Sequence, residues 1–256
     1  MKKIFNIVVV LSTLLIIACS SNLQKPITPA SEILVNSDTF WNYYYNHVNL
    51  SDDFVGYDEN NKLLNRKEFF SKIALGYYLP ISLETQDSIK HYKLYEITTA
   101  VDSELRDNIK NALKQDVKFF NMEGKTIPKF DFIDLNAKIY NLKTTKNQLV
   151  VLKFWFIGCG ACIKEMPALN KLVAKYSNKP NVKFLSLATD TEKQLYDFFE
   201  KTIFSYATAS VSDDYVVNEL EIEAFPTHML VKNGKILRVV STEKQLEDVL
   251  LRQVKP

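Results

Sequence analysis

Leu149-Val-Val-Leu-Lys-Phe-Trp-Phe-Ile-Gly-Cys-Gly-Ala-Cys-Ile-Lys-Glu-Met-Pro-Ala-Leu-Asn-Lys-Leu172 is the stretch that decides the fold. Its first eight residues, Leu149–Phe156, form an apolar run with the length and β-branched content of a buried strand. Ile157 and Gly158 make a short turn. Beyond Cys159-Gly160-Ala161-Cys162, the apolar residues Ile163, Met166, Leu169, Leu172 and Val173 recur at helical spacing. The order is strand, tight turn, Cys-x-x-Cys, helix. That context lifts a weak four-residue pattern into a specific one.

The spacing has a chemical reason. Residues three apart on a helix share a face, so the two thiols can meet in one small ring. Cys159 stands where a helix begins, and unpaired N–H groups and the helix dipole favour an anion there. It is therefore expected to carry a lowered pKa and to be the exposed attacking thiolate. Cys162, one turn in, is expected to be buried and to resolve the mixed disulfide. A merely stapling disulfide would close too short a loop to constrain the unfolded chain much. A zinc or copper site stays open as an alternative, although tetrahedral zinc needs further Cys or His ligands. The histidines are His47, His91 and His228, with no two spaced as a ligand pair.

A second feature lies downstream. Glu223-Ala-Phe-Pro-Thr-His-Met-Leu-Val-Lys-Asn-Gly-Lys-Ile-Leu-Arg-Val-Val240 reads as strand, Asn-Gly turn, strand. Pro226 opens the first strand, a position where proline is tolerated. With Phe154-Trp155, the cysteine pair, Glu165, Pro167 and Phe225-Pro226-Thr227, the chain from about Ile127 to Val254 resembles the thioredoxin superfamily. Within it, the likeness is to the TlpA/ResA-like, membrane-anchored thiol–disulfide oxidoreductases. The resemblance implies an α/β thioredoxin-like fold, a mixed central sheet with helices on both faces. It implies that Pro226 is cis and packs against the cysteine pair. It also implies that the Phe225 backbone pairs with an incoming peptide, with Thr227 and Trp155 completing the substrate-binding set, and that Glu165 is a semi-buried carboxylate near the thiols. Two positions depart from the family pattern. Gly158 replaces the usual Trp before the first cysteine, and Lys153 stands where thioredoxins carry a buried acid. A lysine inside an apolar strand is costly unless paired. Glu165, one turn past Cys162, is its expected partner, and the pair is a candidate proton relay beside the catalytic cysteines.

Outside this region the readings are coarser. Met1-Lys2-Lys3 followed by the apolar Ile4–Ala18 reads as a signal peptide, residues 1–18. Leu15-Ile-Ile-Ala-Cys19 resembles a bacterial lipobox, so Cys19 is the expected lipidation site. Of three cysteines, that leaves one redox pair. Residues 19–31, polar with two prolines, read as a lipid-anchored tether. Residues 32–123 read as a smaller, mainly helical N-terminal domain of unassigned role, and 124–256 as the thioredoxin-like domain. In the former, Ser37-Asp38 is expected to cap a helix carrying Phe40, Tyr44 and Val48 on one face. Asn65 and Glu68 form a capping box for a helix that Pro80 ends. Ile81–Thr99 suggests a strand or hairpin, and Asp102 caps a helix lined by Leu105, Ile109, Leu113, Val117 and Phe120. Tyr43-Tyr44-Tyr45 is read chiefly as core, with a docking surface as the sharper alternative. In the latter, one kinked helix is expected over Ala161–Tyr176.

Charge excludes one class: 32 basic against 30 acidic residues offer no nucleic-acid surface. The resulting expectation is a periplasm-facing, lipid-anchored oxidoreductase, on the outer rather than the inner membrane. It would exchange disulfides with protein substrates, draw electrons from a membrane donor and need no bound cofactor or metal. A disulfide oxidase or isomerase, a metallochaperone and a redox-inert binding lipoprotein are the alternatives.

Overall fold

The computed structural model describes residues 24–254. The expected signal peptide and Cys19 lie outside the described residues. The chain opens with α1 (Ala30–Ile33) and α2 (Ser37–His47), then β1 (Phe54–Tyr57), β2 (Leu63–Leu64), α3 (Arg66–Ile73), β3 (Tyr78–Leu83), β4 (Lys90–Glu96) and the long α4 (Ser103–Met122). Helices hold more of these residues than strands do. The strands nevertheless form a sheet of order β2-β1-β4-β3, in which β1 and β4 run parallel. Helix α2 is capped by Asn36, one residue before the expected Ser37-Asp38, through a reciprocal bond with Thr39. The Asn65–Glu68 capping box starts α3.

Pro80 does not end α3. That helix stops at Ile73, and the chain turns at Gly76 with φ +83°, a conformation suited to glycine. Pro80 sits inside β3, at the sheet edge, where a missing N–H breaks no ladder bond. The Tyr43 hydroxyl donates to Pro80 O (2.9 Å) and accepts from Ser82 N (2.7 Å), sealing part of that edge. Residues expected to belong to a free tether seal more of it: Ile27 N bonds Ser82 O, and Glu84 N bonds Lys25 O, each at 2.9 Å. An edge strand's unpaired groups recruit whatever backbone lies near.

The second half begins with the hairpin β5 (Asp131–Ile133) and β6 (Ile139–Asn141). It continues with β7 (Leu149–Trp155), α5 (Gly160–Lys164), α6 (Met166–Lys175), β8 (Val182–Ala188), α7 (Glu192–Phe199), β9 (Ala207–Ser210) and a π-helical turn (Tyr215–Glu219). The strands β10 (Thr227–Lys232) and β11 (Lys235–Val240) and the helix α8 (Glu243–Gln253) close it. The mixed sheet runs β11-β10-β7-β8-β9, with β7 in the middle and parallel to β8. Every residue of β7 is buried because alternate side chains feed two cores. Leu149 and Val151 pack with Leu169 of α6 and Leu246 of α8. Val150, Leu152 and Phe154 pack on the other face with Phe119, Met122 and Phe132.

The single kinked helix expected over Ala161–Tyr176 is two helices that meet at Glu165. Pro167 lies in the first turn of α6, where its missing N–H costs nothing. Helix α4 joins the two halves. Leu105, Ile109 and Leu113 fill the N-terminal core, while Phe119 and Met122 fill the sheet core. Polar contacts reinforce the joint: Arg238 Nη1 reaches Glu123 Oε2 at 3.4 Å, Arg238 Nη2 meets Asp53 Oδ1 at 2.9 Å, and Ser51 Oγ donates to Val239 O at 2.6 Å.

Candidate active site

Strand β7 delivers the redox turn. Its last residues are held from both sides: Thr189 N donates to Trp155 O (3.2 Å), and Ile157 N to the Asp190 carboxylate (2.8 Å). Asp190 thus caps the loop. Cys159 N bonds Phe156 O at 3.0 Å, and Cys159 then caps α5, with Cys162 N donating to Cys159 Sγ at 3.2 Å. An N–H aimed at this sulfur favours its thiolate in the reduced protein. The two cysteines form a disulfide with a Cα–Cα distance of 5.3 Å. Cys162 is fully buried and Cys159 is 7% exposed, so Cys159 is more enclosed than an open thiol, yet it is the one that reaches the surface.

The Phe225–Pro226 peptide bond is cis. Phe225 packs against the cluster of Trp155, Cys159 and Cys162. Phe225 also meets Phe156 edge-on, ring centroids 5.5 Å apart. This pair supplies aromatic cover that Gly158 lacks, and a Cβ at Gly158 would sit 3.0 Å from the Phe156 ring.

Two members of the expected substrate-binding set cannot touch a docked chain through their side chains. Trp155 is fully buried against Phe198, Phe199 and Phe204 because the parity of β7 turns it inward. Thr227 is buried too, and its hydroxyl donates to Ala224 O (2.7 Å), which holds the loop before Pro226.

Behind the disulfide lies a buried polar triad. Lys153 pairs with Glu165 Oε1 and donates to Cys162 O at 3.1 Å. His228 Nε2 lies 3.2 Å from the same carboxylate. Burial pushes the Glu165 carboxyl up, but His228 and Lys153 outweigh it and hold the group below its ordinary range. Burial lowers the Lys153 ammonium, against the pull of Glu165. Glu165 is thus an anion set between two nitrogen bases, tied by Lys153 to the backbone of Cys162.

No motif in the sequence marks His228 for this triad. The available signal was parity: residues i and i+2 of a strand share a face, which puts His228 on the side of Pro226. The β10–β7 register then sets it directly opposite Lys153. Its Nδ1 finds no hydrogen-bond partner among the described residues.

Residues 124–240 match the family model described as the AhpC/TSA family. The chain is 33% identical over 132 residues to a thiol–disulfide oxidoreductase ResA of Bacillus cereus, covering 50% of this chain and 76% of that one. The chain belongs to the ResA-like thiol–disulfide oxidoreductases, within the thioredoxin-like fold. ResA of Geobacillus thermodenitrificans is 29% identical over 137 residues, 52% of this chain and 78% of that one. Among solved structures, the thioredoxin domain of a thiol–disulfide oxidoreductase from Bacteroides vulgatus aligns at 26% identity with a TM-score of 0.44, covering 52% of this chain and 98% of that one. The match to the family model leaves residues 24–123 of this ResA-like chain outside it. Among the described residues, no group of three or more His, Cys, Asp or Glu side chains is placed to hold a metal ion, and no helix is long and apolar enough to cross a membrane.

Proposed function

We propose that this oxidoreductase works on the periplasmic side of a bacterial envelope, anchored by lipid on Cys19, and reduces disulfides in exported proteins. The observation that carries the redox chemistry is the Cys159–Cys162 disulfide, with Cys159 retaining a little exposure beside Phe225 and Cys162 fully enclosed. In the reduced enzyme, the Cys159 thiolate attacks one sulfur of a substrate disulfide. That bond breaks, a mixed disulfide forms, and the other substrate sulfur leaves as thiolate. Cys162 then loses its proton and attacks Cys159 Sγ. This releases the second substrate sulfur and passes two electrons to the substrate. Glu165, ionised and one turn away, is the proton acceptor for Cys162, with Lys153 and His228 holding its charge. The Phe225 amide and carbonyl have no hydrogen-bond partner among the described residues, which suits pairing with an extended substrate segment. Phe225 and Pro226 then form the substrate-binding rim, with Thr227 fixing it from beneath. A dithiol donor at the membrane returns the pair to its reduced state.

The direction follows from charge. Gly160 and Ala161 bring no cation between the cysteines. Lys153 spends its field on Glu165, which itself opposes a second anion nearby. The thiolate is therefore stabilised only modestly. A midpoint potential nearer thioredoxin (about −270 mV) than DsbA (about −120 mV) is expected. Titration against glutathione tests this, and a midpoint above about −180 mV would promote the oxidase or isomerase reading. The anchor rests on Leu15-Ile-Ile-Ala-Cys19 and on the roughly 0.8 kcal/mol each buried methylene contributes. Cys19→Ala is expected to release the protein from membranes with soluble activity kept, and mass spectrometry finding Cys19 unmodified in the mature wild type would remove the anchor.

A further inference from the structure

Beside the redox pair lies a cleft of about 730 Å³, within the range of about 300–1,000 Å³ common for binding pockets. One wall belongs to the oxidoreductase core: Ala161 of α5 and the Phe225-Pro226 turn. The facing wall comes from the N-terminal half, chiefly Trp41 and Tyr45 on α2, with Gln115 of α4 beside them. The Trp41 and Tyr45 rings stack with centroids 5.4 Å apart and planes 20° from parallel. Tyr45 is 59% exposed. Tyr45, stacked on the half-buried Trp41 and open to water across the cleft from the redox motif, forgoes burial that it would gain only with an occupant.

The wall is held in place. Tyr44, between those two residues, is buried and its hydroxyl bonds Asp116 of α4 at 2.8 Å. The segment after α2 is fastened to the oxidoreductase half by Ser51–Val239, by the Arg252–Asp52 ion pair at 2.7 Å and by Asn49 Nδ2–Asp248 Oδ2 at 3.2 Å. The aromatic pair therefore stands in a fixed position across the cleft from Ala161, which lies between the two cysteines, and from the Phe225-Pro226 turn. The lining also says what kind of ligand fits. Its charged members, Lys164, Glu165 and Glu243, are of mixed sign, and Glu165 is already paired with Lys153. No concentrated charge awaits a small ionic disulfide. Stacked rings opposite a proline, with an amide side chain between, suit a large apolar residue carried on a peptide backbone.

We propose that this cleft selects substrates: the Trp41–Tyr45 wall receives an aromatic or large aliphatic side chain next to the disulfide-bonded cysteine of an extended polypeptide. The proposal rests on the oxidoreductase reading above and assigns the N-terminal half a direct part in recognition. The cleft is continuous with the Phe225 backbone on which that segment would pair, so one chain can engage both.

The test uses the reduced full chain and two disulfide-bearing peptides that differ only in a Phe or a Gly beside the cysteine, with oxidised glutathione as a third substrate. The wild type is expected to reduce the Phe peptide with a higher kcat/KM than the Gly peptide. Tyr45→Ala, at an exposed position, and Trp41→Ala are each expected to erase about tenfold of that preference, the effect of losing one aromatic anchor at an interface. The loss should fall mainly on KM and exceed any loss with glutathione. Circular dichroism and thermal melts confirm that the variants are folded, and Tyr45→Phe is expected to restore the preference. Equal rates on the two peptides in the wild type, or equal losses on all substrates in Tyr45→Ala, would overturn the proposal and leave the oxidoreductase reading standing. A wild type that reduces none of the three would overturn both.

Discussion

Glu165→Gln removes the charge at the centre of the buried triad and little else. Lys153, fully buried, then keeps an ammonium with no counter-charge, and the hydrogen bond from His228 weakens. Breaking a buried ion pair by removing one partner costs about 3–5 kcal/mol. The folded carboxyl is held below its ordinary value of 4.5. Its contribution is therefore fully present above about pH 4.5 and is lost as pH falls through the lower folded value. Urea unfolding at pH 7 is expected to show a loss of about 3–5 kcal/mol in the variant. Between about pH 4.5 and the acid limit the two stability curves are expected to converge. Lys153→Met added to Glu165→Gln is expected to recover much of the loss, because the stranded charge is gone. Turnover is expected to slow with a changed pH–rate profile, since Cys162 loses its proton acceptor. A penalty below about 1 kcal/mol, the size of a solvated surface pair, together with an unchanged pH–rate profile, would refute the buried-triad account.

Asp116, under the aromatic wall, gives a second pH signature. Burial pushes its carboxyl from 3.8 up to about 7, against the hydrogen bond from Tyr44. A raised folded pKa means stability fully present below about pH 3.8 and lost as pH rises to about 7, worth about 4 kcal/mol over that window at 1.36 kcal/mol per unit. Asp116→Asn is expected to remove this penalty, so that its advantage over wild type grows from pH 4 to pH 7 and then levels off. Parallel stability curves across that range would show that the carboxyl is not buried. Leu113→Ala, in the half of α4 that fills the N-terminal core, is expected to cost about 2–5 kcal/mol in urea unfolding. A loss within about 0.5 kcal/mol, the range of a surface substitution, would contradict its burial.

The part of the fold around β7 and α5 was legible because its signals are local and agree with one another. An eight-residue apolar run, a short turn and a helical apolar stripe need no tertiary information to be read. The same holds for the Asn233-Gly234 turn between β10 and β11 and for the caps at Asn65 and Asp102. The Lys153–Glu165 pairing could be expected because a lysine in a buried strand needs a partner within reach.

What stayed hidden depends on long-range registry. His228 meets Glu165 only through the pairing of β10 with β7. Pro80 reads as a helix stop until β3 is known to be an edge. The Pro26 region reads as a tether until that edge is there to hold it. Trp155 counts in the substrate-binding set by resemblance, yet strand parity turns it into the core. The cleft is the extreme case. Its walls lie far apart in the chain, and Tyr45 differs from the buried Tyr43 and Tyr44 by the face of α2 it occupies. Nothing local in three successive tyrosines says which one remains outside.

The proposed exchange assigns attack to Cys159 and resolution to Cys162. Cys162→Ser expressed in native cells, with adducts mapped by mass spectrometry, tests it most directly. Mixed disulfides to envelope proteins through Cys159, released by dithiothreitol, are expected, with few or none in Cys159→Ser. Stronger adducts through Cys162 in Cys159→Ser, or no thiol-sensitive adduct in either variant, would contradict it.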